Sequence, residues 1–142
     1  MNTNKFLVGG IIGGIAYFLL GWLVWGILLM DFMKTNAGSA TGVMREQADM
    51  VWWALIVGNL FSGLALSYVL NKAGVASAGA GAAVAAFFSL LIAIAFDLTM
   101  YGTSNLSTLK GVCVDVVANL VVGAIVGGIV GAYLGMGKKA TA

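Results

Sequence analysis

Five polar side chains lie within or at the ends of long apolar stretches of this sequence: Asp31, Asn59, Asp97, Asp115 and Asn119. Polar groups in a lipid environment are costly and are candidates for a functional role by default. Asn119 follows Asp115 by four residues, so both side chains fall on one face of a helix. Folded together, the five groups form a carboxylate and amide cluster. Within it, Asp97 and Asp115 are like charges in a low dielectric, which favours a bound cation or proton.

Two other interpretations of these residues remain open. The carboxylates can be solvated groups at the membrane interface, with Asp31 beside Lys34 and Asp115 within reach of Lys110, in which case they are structurally neutral. The asparagine side chains can instead form hydrogen bonds between helices, each contributing about 0.6 kcal/mol. Only the first interpretation, a bound cation or proton, makes the cluster a functional site.

The residue types that are missing exclude much chemistry. The chain has no histidine and a single cysteine, Cys113, so it lacks an imidazole base, a histidine-containing zinc site and an intrachain disulfide. Its seven basic residues among 142 are too few for a nucleic-acid interface. The sequence contains no recognisable nucleophile and base pair, phosphate-binding loop or metal-ligand cluster. We therefore predict a protein that is not an enzyme and that uses no cofactor, no metal and no nucleic acid.

Composition indicates the elements that hold these groups. Apolar residues make up 61% of the chain and charged residues only 8%, whereas soluble domains average about 25% charged residues. Uncharged runs cover residues 6–30, 50–71, 73–96 and 116–137, and about 20 apolar residues cross the hydrocarbon layer as a helix. We predict an all-α, polytopic four-helix transmembrane bundle in contact with the lipid bilayer. It forms a single membrane domain over residues 1–142, with spans at about 6–30, 50–71, 78–100 and 111–136.

Basic residues near the helix ends predict the orientation. With the amino terminus in the cytoplasm, the inner side holds Lys5, Lys72, Lys138 and Lys139 and no acid, whereas the other side holds three basic residues and all five acidic residues. Basic residues favour the cytoplasmic side, so we predict a multi-pass protein with both termini cytoplasmic. The run 6–30 is longer than the apolar core of a signal peptide, so we expect it to be a true span.

The two halves of the chain show a weak internal similarity. Residues 57–63 align with residues 117–123, and both segments contain Asn-Leu-x-x-Gly. The first and third spans each end at an aspartate, Asp31 and Asp97. Duplication of a helical hairpin would give two units related by a pseudo-twofold axis along the membrane normal. The alternative is a chance match between two apolar, glycine-rich segments.

Glycines recur at a spacing of four residues in the first and fourth spans. Because apolar helices gain little by leaving lipid, close backbone approach through small residues supplies their association energy. We predict that these stripes hold the four helices together, or that one of them forms a homo-oligomer interface. The predicted packing positions are Gly9, Gly10, Gly13, Gly14, Gly123, Gly127, Gly131 and Gly135.

The first span contains a distinctive stretch, Gly21-Trp22-Leu23-Val24-Trp25-Gly26, and Asp31 follows it. In these residues and in its four-span layout the chain resembles a family of small uncharacterised bacterial inner-membrane proteins, a domain of unknown function. The resemblance implies a location in the bacterial inner (cytoplasmic) membrane and no known activity. Small multidrug-resistance exporters and four-span fluoride channels are similar in layout only, since the exporters have an essential carboxylate in the middle of the first span and residues 6–30 have none.

These observations support two functional hypotheses. The first is a structural or interaction protein of the membrane that self-associates as a homo-oligomer or serves as a small subunit of a membrane complex. The second is a small channel or transporter for an ion or small molecule, which uses the Asp and Asn cluster on the outer side. A water-filled path that reaches Asp97 and Asp115 and continues inward would favour a channel. Inward from Asn119 the fourth span offers such a path only apolar residues and glycine as far as Tyr133. This lining argues against an ion path through a monomer, though not through an oligomer.

Overall fold

The structure is a computed structural model that describes residues 2–136. Within this range the chain is all-α, with four long apolar helices, which confirms the predicted four-helix bundle. The helix α1 passes directly into a π-helical turn, Val24–Leu28, and a short helix, α2, follows it. Lys138 and Lys139, used above to predict the orientation, lie outside the described residues. The helices are α1 (Thr3–Leu23), α2 (Met30–Thr35), α3 (Trp52–Lys72), α4 (Ala78–Thr103) and α5 (Leu109–Gly135).

Polar side chains fix where three of the long helices begin. The Asn2 side chain accepts a hydrogen bond from the Lys5 amide, Ser77 accepts one from Ala80, and Thr108 accepts one from Gly111. These caps satisfy amide groups that have no partner inside the helix. The tight connection between α3 and α4 contains Gly74 at φ 71, a left-handed conformation that favours glycine. We call this end of the bundle the turn end.

The opposite end, which we call the loop end, carries the connections 36–51 and 104–108. These connections are hydrogen-bonded to each other: the Gly38 amide donates to Leu106 O at 3.0 Å and the Ala40 amide donates to Asn105 O at 3.1 Å. A Cβ at Gly38 would overlap the Asn105 carbonyl, so only glycine allows this approach. The loops therefore join the hairpin made by α1 and α3 to the hairpin made by α4 and α5.

Helix packing is uneven around the bundle. The most extensive contacts lie within the two hairpins, α1 against α3 and α4 against α5, and α1 also packs against α5. The helices α3 and α4 make few contacts with each other. The bundle is therefore incomplete between α3 and α4, which leaves space beside the inner faces of α1 and α5.

The glycines of α1 contact α3 at backbone distance. A Cβ added at Gly14 would lie 2.8 Å from Leu60 Cα, and one added at Gly13 would lie 3.2 Å from Gly63 Cα. At Gly9 an added Cβ would lie 2.7 Å from the Ser67 hydroxyl. Real Cβ atoms essentially never come within 3.0 Å of another heavy atom, as they would at Gly9 and Gly14, and rarely come within 3.4 Å, as at Gly13, so the spacing of α1 and α3 depends on these glycines.

The glycines of α5 likewise allow α4 and the connection before it to approach closely. A Cβ at Gly123 would overlap Ser89, and one at Gly127 would overlap Ala85. Toward the turn end, Gly131 faces the Ser77 carbonyl and Gly135 faces the Ala76 carbonyl. Both predicted stripes therefore pack against helices or connections of the same chain, so an oligomer would have to form through another surface.

A closely packed core fills the turn-end half of the bundle. Its largest fully buried side chains include Leu66, Leu70, Val126 and Val130. The buried Ser67 hydroxyl, 0% exposed, donates a hydrogen bond of 2.8 Å to Phe6 O and so joins α3 to α1. This half of the bundle is closed, whereas the loop-end half contains the cleft described next.

Candidate functional site

A cleft of about 860 Å³ lies in the loop-end half of the bundle, where α3 and α4 separate. All four long helices contribute to its lining. Most of the wall is aromatic or aliphatic. The acidic groups lie on the neighbouring helices α4 and α5, and α3 contributes the polar side chains of Asn59 and Ser62. The aromatic side chains that line it are Tyr17, Phe18, Trp22, Trp25, Trp52, Phe88 and Phe96.

Asp115 on α5 is the best-coordinated polar group of the cleft. The Trp25 indole Nε1 donates to Asp115 Oδ1 at 2.6 Å, which links α1 to α5. Asn119 Nδ2 donates to Asp115 Oδ2 at 2.8 Å and to the Asp115 carbonyl at 3.0 Å. Both carboxylate oxygens therefore accept a hydrogen bond from an uncharged donor. Among the described residues that line the cleft there is no lysine or arginine.

The π-helical turn of the first span presents Trp25 to Asp115. In this turn the Leu29 amide donates to Val24 O at 2.7 Å, a bond that spans five residues instead of four. Such turns insert an extra residue, rotate the side chains that follow, and occur often at functional sites. A Cβ at Gly26 would lie 3.2 Å from Trp22 Cδ1, so this glycine leaves room for the Trp22 ring.

Asp97 on α4 lies opposite Asp115. The two acidic side chains line the same two cavities and are close enough for their charges to interact. Asp97 Oδ2 is buried and has no hydrogen-bond partner in the described part of the chain. A buried carboxylate oxygen without a donor is costly, so the arrangement is incomplete unless a proton or a ligand supplies positive charge.

The structure places four of the five predicted polar residues around one cleft: Asp97, Asp115 and Asn119, with Asn59 across from them on α3. Asn59 Nδ2 donates to Leu55 O of its own helix at 2.8 Å, so this amide does not use its donor between helices. Asp31 is exposed in α2 and does not line the cleft.

The lysine proposed as a partner of Asp115 interacts elsewhere. Lys110 Nζ lies 5.5 Å from the centre of the Phe32 ring, a cation–π distance. Phe32 belongs to α2, so this contact helps to hold α2 against the start of α5. The negative charge inside the cleft therefore faces Trp25 and Asn119, and Lys110 lies at the surface.

A second, smaller cavity of about 270 Å³ continues from the cleft toward the loop end. Met44, Phe96, Asp97 and Asp115 line both cavities, so the two acidic side chains lie at the boundary between them. In the other direction the cleft ends at Leu66 and Val122, and the buried core lies beyond them. The site is thus reached from the loop end or from the side, and the packed core closes it toward the turn end.

The sequence indicated Asp97, Asp115 and Asn119 but did not indicate Trp25 as a partner of these polar groups. The indole partner of Asp115 depends on the π-helical turn, and no spacing rule in the sequence marks that turn. The aromatic wall was likewise not predicted, because aromatic residues near a helix end are the ordinary expectation for a membrane interface.

Helix length and composition assign the chain to a broad class. Within the described residues, four helices are long and apolar enough to cross a membrane, and the chain is a membrane protein. In comparisons with known proteins, no family model, no curated protein and no solved structure matches the chain.

Proposed function

We propose that this membrane protein binds a positively charged ligand at the Asp97 and Asp115 pair, as part of a small-molecule transport or uptake function. The observation that carries the proposal is the buried Asp97 Oδ2, which has no hydrogen-bond donor in the described residues and lies on a side chain that lines the same cavities as Asp115. The proposal includes no catalytic reaction and no metal cofactor.

Electrostatics favours a cation at this position. Two unit charges about 4 Å apart repel each other by about 1 kcal/mol in water and by about 4 kcal/mol at an effective dielectric of 20. Trp25 and Asn119 donate to Asp115 and so stabilise its negative charge. No residue in the range 2–136 donates a hydrogen bond to Asp97 Oδ2. A proton or a ligand cation at Asp97 would remove the repulsion and complete the polar contacts.

The closed turn-end half favours a binding site over an open channel. The core beyond Leu66 and Val122 is buried and apolar, so it offers no polar groups to a hydrated ion. A purely structural or interaction role, the other hypothesis from the sequence, would need neither the cleft nor the unpartnered carboxyl. Self-association or membership of a larger complex is compatible with ligand binding and would use the lipid-facing surface.

The test of this function is cation-dependent stability. We expect one or more cations from a panel of Na⁺, K⁺ and organic ammonium ions, at constant ionic strength, to raise the thermal unfolding midpoint of the detergent-solubilised protein. A ligand present at about 100 times its dissociation constant stabilises by about 2.7 kcal/mol. The Asp97→Asn and Asp115→Asn variants should lose this response.

Asp31→Asn is the matched control, because it removes the same charge from an exposed residue outside the cleft. This variant should keep the full response to cations. If no cation raises the midpoint of the native protein, or if all three variants respond as the native protein does, the proposed function is wrong.

We further propose the bacterial inner membrane as the location, with both termini cytoplasmic. This orientation is supported by Lys5 and Lys72 at the turn end, and it makes the cleft accessible from the outer side. Cysteines placed at Ser39 and Ser77 in a Cys113→Ser background test it with a membrane-impermeant maleimide on intact cells. We expect labelling at position 39. Preferential labelling at position 77 would reverse the orientation.

A further inference from the structure

We propose that the ligand is a lipophilic organic cation, whose apolar body occupies the cleft between α3 and α4 and whose charge lies against the carboxyl pair. The inference rests on the proposed function and names its ligand class. Its basis is the cleft as a whole: a volume of about 860 Å³, walls that are mostly aromatic or aliphatic, and acidic groups without a basic residue among the lining residues described.

The walls suit an organic cation better than an inorganic one. Hard metal ions require about six to eight oxygen ligands, and the described residues contain no group of three or more acidic, histidine or cysteine side chains that could hold a metal. Aromatic faces attract cations that carry apolar substituents, and this attraction is strongest where water is excluded. Trp22, Phe88 and Phe96 supply such faces on two sides of the cleft.

The size and position of the cleft agree with this ligand class. Pockets for drug-sized ligands have volumes of about 300–1,000 Å³. Two aromatic residues that line the cleft, Phe96 on α4 and Trp52 on α3, remain 65% and 43% exposed on the outer surface of the bundle. Because α3 and α4 barely touch, a ligand dissolved in the bilayer can enter from the side. An amphiphilic cation concentrates in the bilayer, next to this lateral opening.

Charge complementarity distinguishes this occupant from a lipid acyl chain. An acyl chain would fill the apolar wall but would bring no positive charge to Asp97 Oδ2, which has no hydrogen-bond partner among residues 2–136, so neutralising the carboxyl pair would then require a proton. A cation with a bulky apolar body satisfies both parts of the cleft at once. Neutral or anionic ligands of the same shape should therefore bind more weakly than the cation.

The experiment compares tetraphenylphosphonium with tetraphenylborate, which have nearly the same size and shape and opposite charge. Three of the four tryptophans, Trp22, Trp25 and Trp52, line the cleft, so quenching of intrinsic fluorescence in detergent micelles reports occupancy. We expect saturable binding of the cation and none of the anion. We expect about a tenfold or greater loss of affinity in Asp97→Asn and in Asp115→Asn, and unchanged affinity in Asp31→Asn.

Two further measurements distinguish loss of binding from misfolding, and an organic cation from an inorganic one. The Asp115→Asn side chain retains an oxygen that can accept from Trp25 Nε1, and the elution profile and helical content of the variant verify that it folds. Phe96→Leu removes part of the aromatic wall without touching the carboxyl pair. It should weaken tetraphenylphosphonium binding and leave any response to Na⁺ or K⁺ unchanged.

Each result decides one of the two proposals. If only Na⁺ or K⁺ stabilises the protein, and does so through Asp97 and Asp115, the ligand class is wrong and the proposed function stands. If both tetraphenyl ions bind equally well to the native protein and to the two aspartate variants, the cleft is an apolar pocket and the lipophilic-cation inference is overturned. Tetraphenylphosphonium binding that requires both carboxyl groups supports the inference.

Discussion

Replacement of Gly63 by leucine is expected to separate α1 from α3 and to unfold the first hairpin. A Cβ at Gly63 would overlap three backbone atoms of α1, namely Gly14 N, Gly10 O and Gly13 C. No flexible side chain can move aside, so the helices themselves must shift. Overpacking in a rigid core costs about 1–3 kcal/mol, and we expect a loss of about 3 kcal/mol or more because backbone is displaced.

Gly58→Leu is the matched control in the same helix, since an added side chain at Gly58 meets nothing within 4 Å. Titration with sodium dodecyl sulfate, followed by tryptophan fluorescence, measures both variants, because all four tryptophans lie on the first span or at the start of α3. Gly63→Leu should lower the unfolding midpoint strongly and Gly58→Leu should not. Equal midpoints would mean that α1 and α3 do not pack through this glycine.

The positions of the spans were predictable because charge and hydropathy decide them. The third span was predicted at about 78–100 and extends over Ala78–Thr103, and the fourth was predicted at about 111–136 and extends over Leu109–Gly135. The capping residues Ser77 and Thr108 fix where α4 and α5 begin, and both lie within a few residues of the point where the sequence changes from polar to apolar. Burial of a continuous apolar run in lipid leaves few other ways to satisfy the backbone.

The candidate site was only partly predictable. The facing positions of Asp115 and Asn119 follow from the helical period, which is a local property. Asp31 belongs to the same sequence pattern, but the chain leaves helical geometry at Leu29, with φ −104 and ψ 1, and α2 then carries Asp31 on the exposed surface. Tertiary contacts at the end of a helix determine whether it breaks there, and the hydropathy pattern of the sequence does not show such a break.

The partner of Asp115 and the cleft itself depend on relations between helices. Trp25 reaches Asp115 because the first span changes to π-helical geometry at Val24. The cleft lies where α3 and α4 fail to close the bundle, while each hairpin packs tightly on its own glycines. Neither feature leaves a signal in residue spacing.

The predicted internal repeat has a specific structural counterpart. Asn59 and Asn119, which the alignment pairs, both line the cleft, and the paired Gly63 and Gly123 each face the other helix of their own hairpin. The dense glycine stripes, however, lie on α1 in one hairpin and on α5 in the other, and the alignment does not pair these helices. Duplication therefore remains a prediction, and the hairpins reach close packing through different helices.

Leucine at Gly127 is expected to disrupt the packing of α4 on α5 within the monomer. A Cβ there would overlap the Ala85 Cβ and the Gly81 carbonyl, and a Cβ at Gly81 would in turn overlap the Gly127 carbonyl. We expect each single variant to cost about 3 kcal/mol or more. Because both substitutions force the same two helices apart, the double variant should cost clearly less than the sum of the single variants.

The measurement is the rate of alkylation of a cysteine introduced in place of Val130, a core position of α5 that is 0% exposed. The background is Cys113→Ser, because Cys113 itself is exposed and would also react. Gly127→Leu and Gly81→Leu should accelerate alkylation of that thiol, whereas Gly79→Leu, which points into open space on α4, should not. The same stripe was also a candidate oligomer interface, so oligomeric mass in mild detergent is recorded in parallel. If Gly127→Leu lowers that mass while the thiol at position 130 stays protected, the stripe joins two copies of the chain and the internal-packing account is wrong.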